Sequence, residues 1–378
     1  MKELINSNPK LLITVVGIGG CGCNTINMLY ENGLSKQVNL IAVNTDLAAL
    51  NSLQVENKIL IGEHLTNGFG AGSNPKVGLK AAEESRELLT NAIKKTDIVI
   101  ITAGFGGGTG TGATPLVARI ARDLNINCLA IVTLPFESEG KLRMDFALQG
   151  IEDIKDPIHA YITLSNDLLL KGLGKSVGLF TAFNQSNEVL RNLLVSLVQM
   201  LTETGYVNVD KNDFSSILSY EGESILGVGK AESQDLAFEA LEQALNNPLV
   251  SIARIETAKG IIFQLFCKSE PKLSTYNGLI DHIREKITNK SVLIVPGVTL
   301  DPNLSSEIEI LIVASGIDSL AQQSNNIDLL NKTITNALEN DLSSDELALI
   351  TDEEESYTDI PAITRKLRAN KLTGENSA

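Results

Sequence analysis

The chain has 378 residues, 43% hydrophobic and 20% charged, which is ordinary for a soluble globular protein and long enough for two cores. A formal net charge of −15 excludes a general nucleic-acid binder, which needs a basic face, and also plain electrostatic adsorption to anionic lipid. Four cysteines (Cys21, Cys23, Cys128, Cys267) are too few for a disulfide framework at this size, and the C-x-C pair lacks the second pair of a zinc site.

Residues 1–10 are polar and are expected to be loose. MKELINSNPK has no apolar signal core, and no stretch approaches 18 consecutive apolar residues. The expected location is therefore cytoplasmic, without a membrane anchor of its own. Leu11-Leu-Ile-Thr-Val-Val16 reads as a strand that ends in Gly17-Ile-Gly-Gly-Cys-Gly-Cys-Asn24, after which Thr25 to Tyr30 begins a helix. Leu40 to Val43 is a second strand, ending at Asn44-Thr-Asp46. Asn67-Gly-Phe-Gly-Ala-Gly-Ser-Asn-Pro75 is another glycine-rich loop, and a helical pattern covers Lys80 to Lys94. Ile98 to Thr102 is a strand, followed by Gly104-Phe-Gly-Gly-Gly-Thr-Gly-Thr-Gly112 and a helix from Ala113 to Ala121. Strand, glycine loop and helix together present backbone N–H groups and a helix N-terminus to an anion. Leu129 to Thr133 and Ala160 to Leu164 are further strands. The alternation implies right-handed crossovers and a parallel sheet, with the loops gathered at the C-terminal ends of the strands.

Leu190, Leu193, Leu194, Leu197, Val198 and Leu201 recur at helical spacing, so one helix of about seven turns is expected over 179–204, capped by Gly205. Strands then read at 224–229, 260–266, 291–295 and 307–314, with helices at about 232–246 and 275–287 between them. This is the pattern of a second α+β domain with a mixed sheet. Past Asp318 the chain turns Ser-, Asn- and acid-rich, and Asp341 to Ser356 holds seven acidic residues and no basic one. A disordered linker is expected over 319–356, spanning roughly 35 Å r.m.s.. A different segment follows, Asp359-Ile-Pro-Ala-Ile-Thr-Arg-Lys-Leu-Arg368.

The loop at 106–112, GGGTGTG, resembles the signature of the tubulin/FtsZ family of GTPases. The resemblance runs from about Leu11 to Leu320 and resumes near the C-terminus. It implies an α/β fold: a Rossmann-like parallel-sheet GTPase domain (11–178), a long central helix (179–204), and an α+β GTPase-activating domain (205–318). After the linker comes a partner-binding tail (357–378). It implies GTP/GDP and Mg²⁺ as ligands. Gly106, Gly107, Gly108, Thr109 and Gly110 match the phosphate loop. Gly19, Gly20, Cys21, Gly22, Cys23 and Asn24 match the first loop, with Cys21 and Cys23 standing where relatives have glycine. Ala71 and Gly72 match the γ-phosphate-sensing loop, which with Asn44 and Asp46 faces Mg²⁺. Glu139 matches a ribose contact, Arg143 a phosphate or base contact, Asn166 a base contact, and Phe183 a stacking ring whose alternative is a core Phe. Asn187 takes the guanine-reading position where many relatives carry Asp, and the adjacent Glu188 is an alternative carboxylate.

Asn208, Asp210 and Asp213 match a catalytic loop that acts on the next subunit's nucleotide, so the partner implied is the chain itself, head to tail. Asp359 to Leu367 resembles a tail peptide for membrane-tethering division proteins, which implies the midcell division ring. No metal site of the protein's own, no nucleic acid and no direct membrane insertion are expected. Gly17-Ile-Gly-Gly-Cys-Gly22 alone also fits an NAD(P) oxidoreductase, with Asp46 for the ribose. That reading leaves residues 104–112 unexplained, and His64, His159 and His282 sit in no motif. A tubulin-like filament for plasmid or phage positioning is the other alternative. The absence of GxxxxGK[ST] excludes a P-loop NTPase.

Overall fold

Runs rich in Val and Ile, bounded by glycine and asparagine, build one ten-stranded sheet in the computed structural model, which describes residues 11–168, 178–220, 222–246 and 255–317. The expectations for residues 1–10, 319–356 and 357–378 lie outside the described residues. The strands are β1 (Ile13–Ile18), β2 (Asn39–Asn44), β3 (Asn57–Leu60), β4 (Ile98–Gly104), β5 (Asn127–Leu134), β6 (Ala160–Ser165), β7 (Glu223–Ala231), β8 (Gly260–Cys267), β9 (Leu293–Leu300) and β10 (Ile308–Ile317). Their spatial order is β3-β2-β1-β4-β5-β6-β7-β10-β8-β9. The first six are parallel, in the doubly wound order that reverses between β1 and β4. β7 and β8 flank β10 antiparallel, and β9 runs parallel to β8, so the far half is mixed. The halves join through a single bridge, Tyr161 to Glu223.

The principal helices are α1 (Gly19–Glu31), α2 (Pro75–Glu84), α3 (Thr109–Asp123), α4 (Lys141–Lys155), α5 (Leu179–Thr202), α6 (Lys211–Leu218), α7 (Ala237–Leu245) and α8 (Leu273–Lys286). The apolar stripe of α5 joins the halves: Leu193, Leu197 and Leu201 share one core with Leu129 and Ile131 of β5 and with Leu311 and Val313 of β10. The opposite face is covered in two separate pieces. Leu116 and Val117 of α3 pack over the parallel half, and Leu241 of α7 with Leu279 of α8 packs over the mixed half.

Several boundaries differ from the sequence reading, each for a packing reason. Two glycine stretches read as loops begin helices: α1 starts at Gly19 and α3 at Thr109. A Cβ on Gly22 would lie 2.3 Å from the Thr102 carbonyl, and one on Gly112 would lie 2.1 Å from that of Pro75. These glycines let helix and neighbouring backbone touch. The 80–94 pattern breaks at Ser85, whose hydroxyl accepts the Gly62 N–H at 3.0 Å, giving α2 and a separate helix Arg86–Ile93. Gly205 is not the cap of α5, which stops at Thr202 with Glu203 extended. Gly205 is small because its Cα faces the Val298 carbonyl, 2.3 Å from where a Cβ would stand. β3 and α4 carry no strong periodic signal; in α4 only Ala147, Gly150 and Ile154 are buried, while the short α6 buries Phe214, Ile217 and Leu218.

Candidate functional site

Where strand order reverses, β1 and β4 stay paired to their C-terminal ends, Ile18 beside Ala103, and α1 and α3 start just beyond them. Neither helix has a side-chain cap at its N-terminus or an acidic residue in its first turn. Uncapped N-termini leave N–H donors unpaired and a positive dipole end exposed. Both open onto one cleft of 570 Å³, within the roughly 300–1,000 Å³ usual for small-molecule sites. Gly20 and Gly107 face it with nothing within 4 Å of a would-be Cβ, so bare backbone borders the open space.

The 104–112 loop is stitched in place by its own residues. Gly106 takes φ +95°, a conformation that favours glycine, and its N–H donates to Thr111 Oγ1 at 2.8 Å. Thr109 Oγ1 and Thr45 Oγ1 are 2.7 Å apart. A Cβ on Gly110 would lie 2.4 Å from the Gly104 carbonyl, so this glycine serves close packing.

The other wall is chemically different. Phe183 and Phe136 meet edge to face, centroids 5.0 Å apart at 84°. Phe136 is buried while Phe183 is 39% exposed, so Phe183 is not the core Phe of the alternative reading but a braced ring on the cleft wall. Ser186 donates to Asn166 Oδ1 at 2.7 Å, which leaves the Asn166 amide hydrogens to face other groups. Asn187, four residues after Phe183, also lines the cleft, while Glu188 is exposed and lies off it. The alternative carboxylate at Glu188 is thus corrected: a neutral amide occupies that wall. Glu139 and Arg143 pair at the rim, and Glu139 Oε1 also accepts the Phe136 N–H at 2.9 Å. Among the described residues they are the carboxylate and the cation of the lining and they offset each other, so attraction for an anion there falls to backbone N–H groups.

Gly19, Gly20, Cys21, Asn24, Gly107, Gly108, Thr109 and Gly110 therefore meet Glu139, Arg143, Asn166, Phe183 and Asn187 around one space. Other expected residues lie off it. Cys23 turns into the core, its sulfur 3.4 Å from the Val43 carbonyl, and burial pushes its thiol up to about 12. Gly22 and Gly106 pack against backbone. Asn44 is buried, its Oδ1 accepting the Thr45 N–H at 2.9 Å. Ala71 is buried where the 67–75 loop leans on Gly108; a Cβ there would lie 2.8 Å from that of Ala71. Gly72 borders a larger, apolar groove of 850 Å³ between α2, α3 and α4, which has Leu79, Leu142 and Phe146 and where the start of α2 is capped by the Asn74 side chain rather than left open. Thr133, Pro135, Asn184 and Ser186 line the cleft without having been singled out for it. Strand-end position flags Thr133, and helical spacing from Phe183 flags Ser186 and Asn187. Cys21 is half-buried in the wall, 3.6 Å from Thr133 Oγ1, and burial raises its thiol above the ordinary value.

Asn208, Asp210 and Asp213 lie at the opposite edge of the sheet. Asp210 caps α6, its Oδ1 accepting the N–H groups of Asn212 (2.7 Å) and Asp213 (2.8 Å). Asp213 Oδ2 accepts the Asp210 N–H in return at 3.2 Å, and Asn208 Oδ1 accepts the Gly205 N–H at 2.6 Å. Lys211 pairs with Asp97, just before β4, and Ser215 bonds Asn127, the first residue of β5. The glycine loops follow the other ends of these parallel strands. Seven residues of β4 separate the two edges by about 23 Å at about 3.3 Å per residue.

Residues 12–174 match the Tubulin/FtsZ family, GTPase domain, and residues 222–318 match the FtsZ family, C-terminal domain. Cell division protein FtsZ of Buchnera aphidicola subsp. Baizongia pistaciae is 34% identical over 97% of this chain and 99% of its own length. Cell division protein FtsZ of Wigglesworthia glossinidia brevipalpis is 36% identical over 84% of this chain and 82% of its own. Among solved structures, an empty FtsZ dimer from M. jannaschii superposes with a TM-score of 0.77 at 37% identity, covering 83% of this chain and 91% of that one. GDP-bound CetZ1 from Haloferax volcanii shares the fold at a TM-score of 0.72 and 18% identity, over 83% of this chain and 97% of that one.

Proposed function

The chain belongs to the FtsZ family of tubulin-like cell-division GTPases, it binds and hydrolyses GTP and it self-associates, and from that premise we propose how its residues share the work. The cleft takes the nucleotide with its phosphates against the N-termini of α1 and α3, its ribose near Glu139, and its base against Phe183, Asn166 and Asn187. The observation that carries the reading is the separation of the glycine loops from the carboxylate loop by the length of β4. Asp210 and Asp213 cannot reach their own chain's cleft across about 23 Å, so they act on a neighbour's nucleotide. A heterologous contact of this kind does not close on itself and grows a filament.

Hydrolysis moves the γ-phosphoryl group to water, a transfer that needs positioning and charge neutralisation more than covalent help. In this reading Asn208, Asp210 and Asp213 orient the attacking water and accept its hydrogens, while the N–H groups of the glycine loops stabilise the phosphate oxygens. Mg²⁺ supplies further neutralisation when bound. Beside the 67–75 loop, Asn44 and Asp46 already accept backbone N–H groups, from Thr45 and Ala49 at 2.9 Å each. Asn44 and Asp46 are the residues that would hold the ion beside the nucleotide, directly or through water. The assignment of 11–178 as GTP-binding, 205–318 as activating, 319–356 as linker and 357–378 as tail follows the same reading. The tail, through Ile360, Pro361, Ile363 and Leu367, takes up membrane-tethering division proteins on the inner face at midcell. Among the described residues no helix is long and apolar enough to cross a membrane.

The test is the dependence of GTP turnover per subunit on protein concentration. A site completed in trans gives turnover that rises from near zero above a threshold concentration, together with light scattering. Constant turnover per subunit down to the most dilute sample would place catalysis within one chain and end the proposal.

A further inference from the structure

We propose that Lys211 is a positioning residue for hydrolysis, holding the carboxylate loop through Asp97 to the same two strands that carry the cleft. The proposal rests on the trans reading above. Lys211 is the first residue of α6, where its ammonium meets the positive end of the helix dipole, a place that disfavours a cation. A partner offsets this: Nζ lies 2.7 Å from Asp97 Oδ1. Asp97 is itself fixed, because its Oδ2 accepts the Leu12 N–H at 2.9 Å. A second bridge runs beside the first. Asn127 Nδ2 donates to Ser215 Oγ at 2.5 Å, and Ser215 Oγ donates to the Lys211 carbonyl at 2.6 Å.

The two bridges converge on Lys211, between the capping carboxylates Asp210 and Asp213. They anchor it to the N-terminal edges of β4 and β5. At their other edges the same strands run into Gly104 and into Thr133 and Leu134, which line the cleft. An exposed ion pair contributes little to stability by itself. Its leverage lies in orientation, since misplacing a reacting group by 1 Å can cost roughly a hundredfold in rate.

The experiment uses the full chain with K211M, D97N, K211R and the exchanged pair D97K/K211D. GDP affinity is measured on dilute protein, and GTP turnover per subunit is measured on pelleted filaments. K211M and D97N should lose about tenfold in turnover, within the range expected for a sub-ångström shift, with GDP affinity within about twofold of wild type. K211R should stay near wild type, and the exchanged pair should regain most of the loss. Wild-type turnover in K211M and D97N filaments would overturn the proposal, as would a parallel loss of GDP affinity. If K211M does not fold, D97N and the exchanged pair decide: an exchanged pair no faster than D97N refutes a charge-dependent tether. Failure of the trans reading is distinguishable, because it appears as wild-type turnover per subunit that stays constant on dilution, whatever Lys211 does.

Discussion

The two edges of the parallel sheet handle charge in opposite ways. At the C-terminal edge the working surface is backbone: glycines at 20 and 107 border open space, two helix N-termini are left uncapped, and the Glu139–Arg143 pair cancels itself. At the N-terminal edge the working surface is side chain, with Asp210 accepting the N–H groups of Asn212 and Asp213 and Asp213 accepting that of Asp210. The first edge is complementary to an anion, and the second repels one. An edge that repels phosphate serves as a catalytic surface only when another molecule's nucleotide is brought to it with its charge already neutralised. In the proposed function, the pairing of one kind of edge with the other makes self-association part of the chemistry.

The largest expected effect breaks the second edge alone. Asp213→Ala should lower GTP turnover by about a hundredfold or more, the scale for losing one transition-state group, while GTP affinity stays near wild type. Steady-state turnover and a binding isotherm on the same preparation check this; equal losses in both would erase the distinction between the edges.

Next come two glycines of the phosphate loop that the structure separates. Gly110→Ala puts a Cβ 2.4 Å from the Gly104 carbonyl and should destabilise the fold by about 1–3 kcal/mol, read as a lower midpoint in denaturant. Gly107→Ala meets no atom within 4 Å, so its midpoint should not move, while its nucleotide affinity falls because the methyl enters the space at the cleft. Unchanged nucleotide affinity in Gly107→Ala would show that the bare backbone there does not face phosphate.

A smaller effect probes the base wall. Phe183→Ala should weaken GDP binding by about tenfold, at the lower end of the roughly 1–3 kcal/mol measured for base stacking. Inorganic pyrophosphate as competitor should be insensitive to the change, since it reaches only the phosphate end.

The smallest effect is a control outside both edges. On α7, Glu242 is held at about 2 by the Lys286 ammonium first and His282 next, against an ordinary 4.5. A depressed carboxylate contributes stability above its unfolded value and loses it as pH falls from about 4.5 to 2. Because the group is 39% exposed, the contribution should be only a few tenths of a kcal/mol to about 1 kcal/mol. Glu242→Gln should therefore be slightly less stable than wild type at pH 6, with the gap closing toward pH 2 and turnover unchanged. A gap that persists at pH 2 would mean the residue acts through packing.

Much of this architecture was legible in the residues themselves. Alternating apolar runs and helical stripes located β1, β2, β4, β5, β6 and α5, and glycine clusters after β1 and β4 marked an anion site, because buried apolar periodicity and bare backbone are written locally. Phe183, Asn166 and Asn187 were nameable only through resemblance. Nothing in their spacing says that a strand end, a helix face and two glycine loops share one space. The tertiary structure alone decided which glycines have no room for a Cβ (Gly22, Gly110, Gly112) and which have open space before them (Gly20, Gly107), because a close approach is a fact about two distant segments. It decided that Cys21 lines the wall while Cys23 enters the core, since on a helix residues two apart point in different directions. It also set the carboxylate loop at the far end of the strands. Asn208 to Asp213 reads in sequence as a turn with a helix cap, and it is that, but its reach depends on the length of β4 and on Lys211 meeting Asp97 across 114 residues of chain. Local sequence specifies which groups are available; only the folded chain specifies which of them can meet.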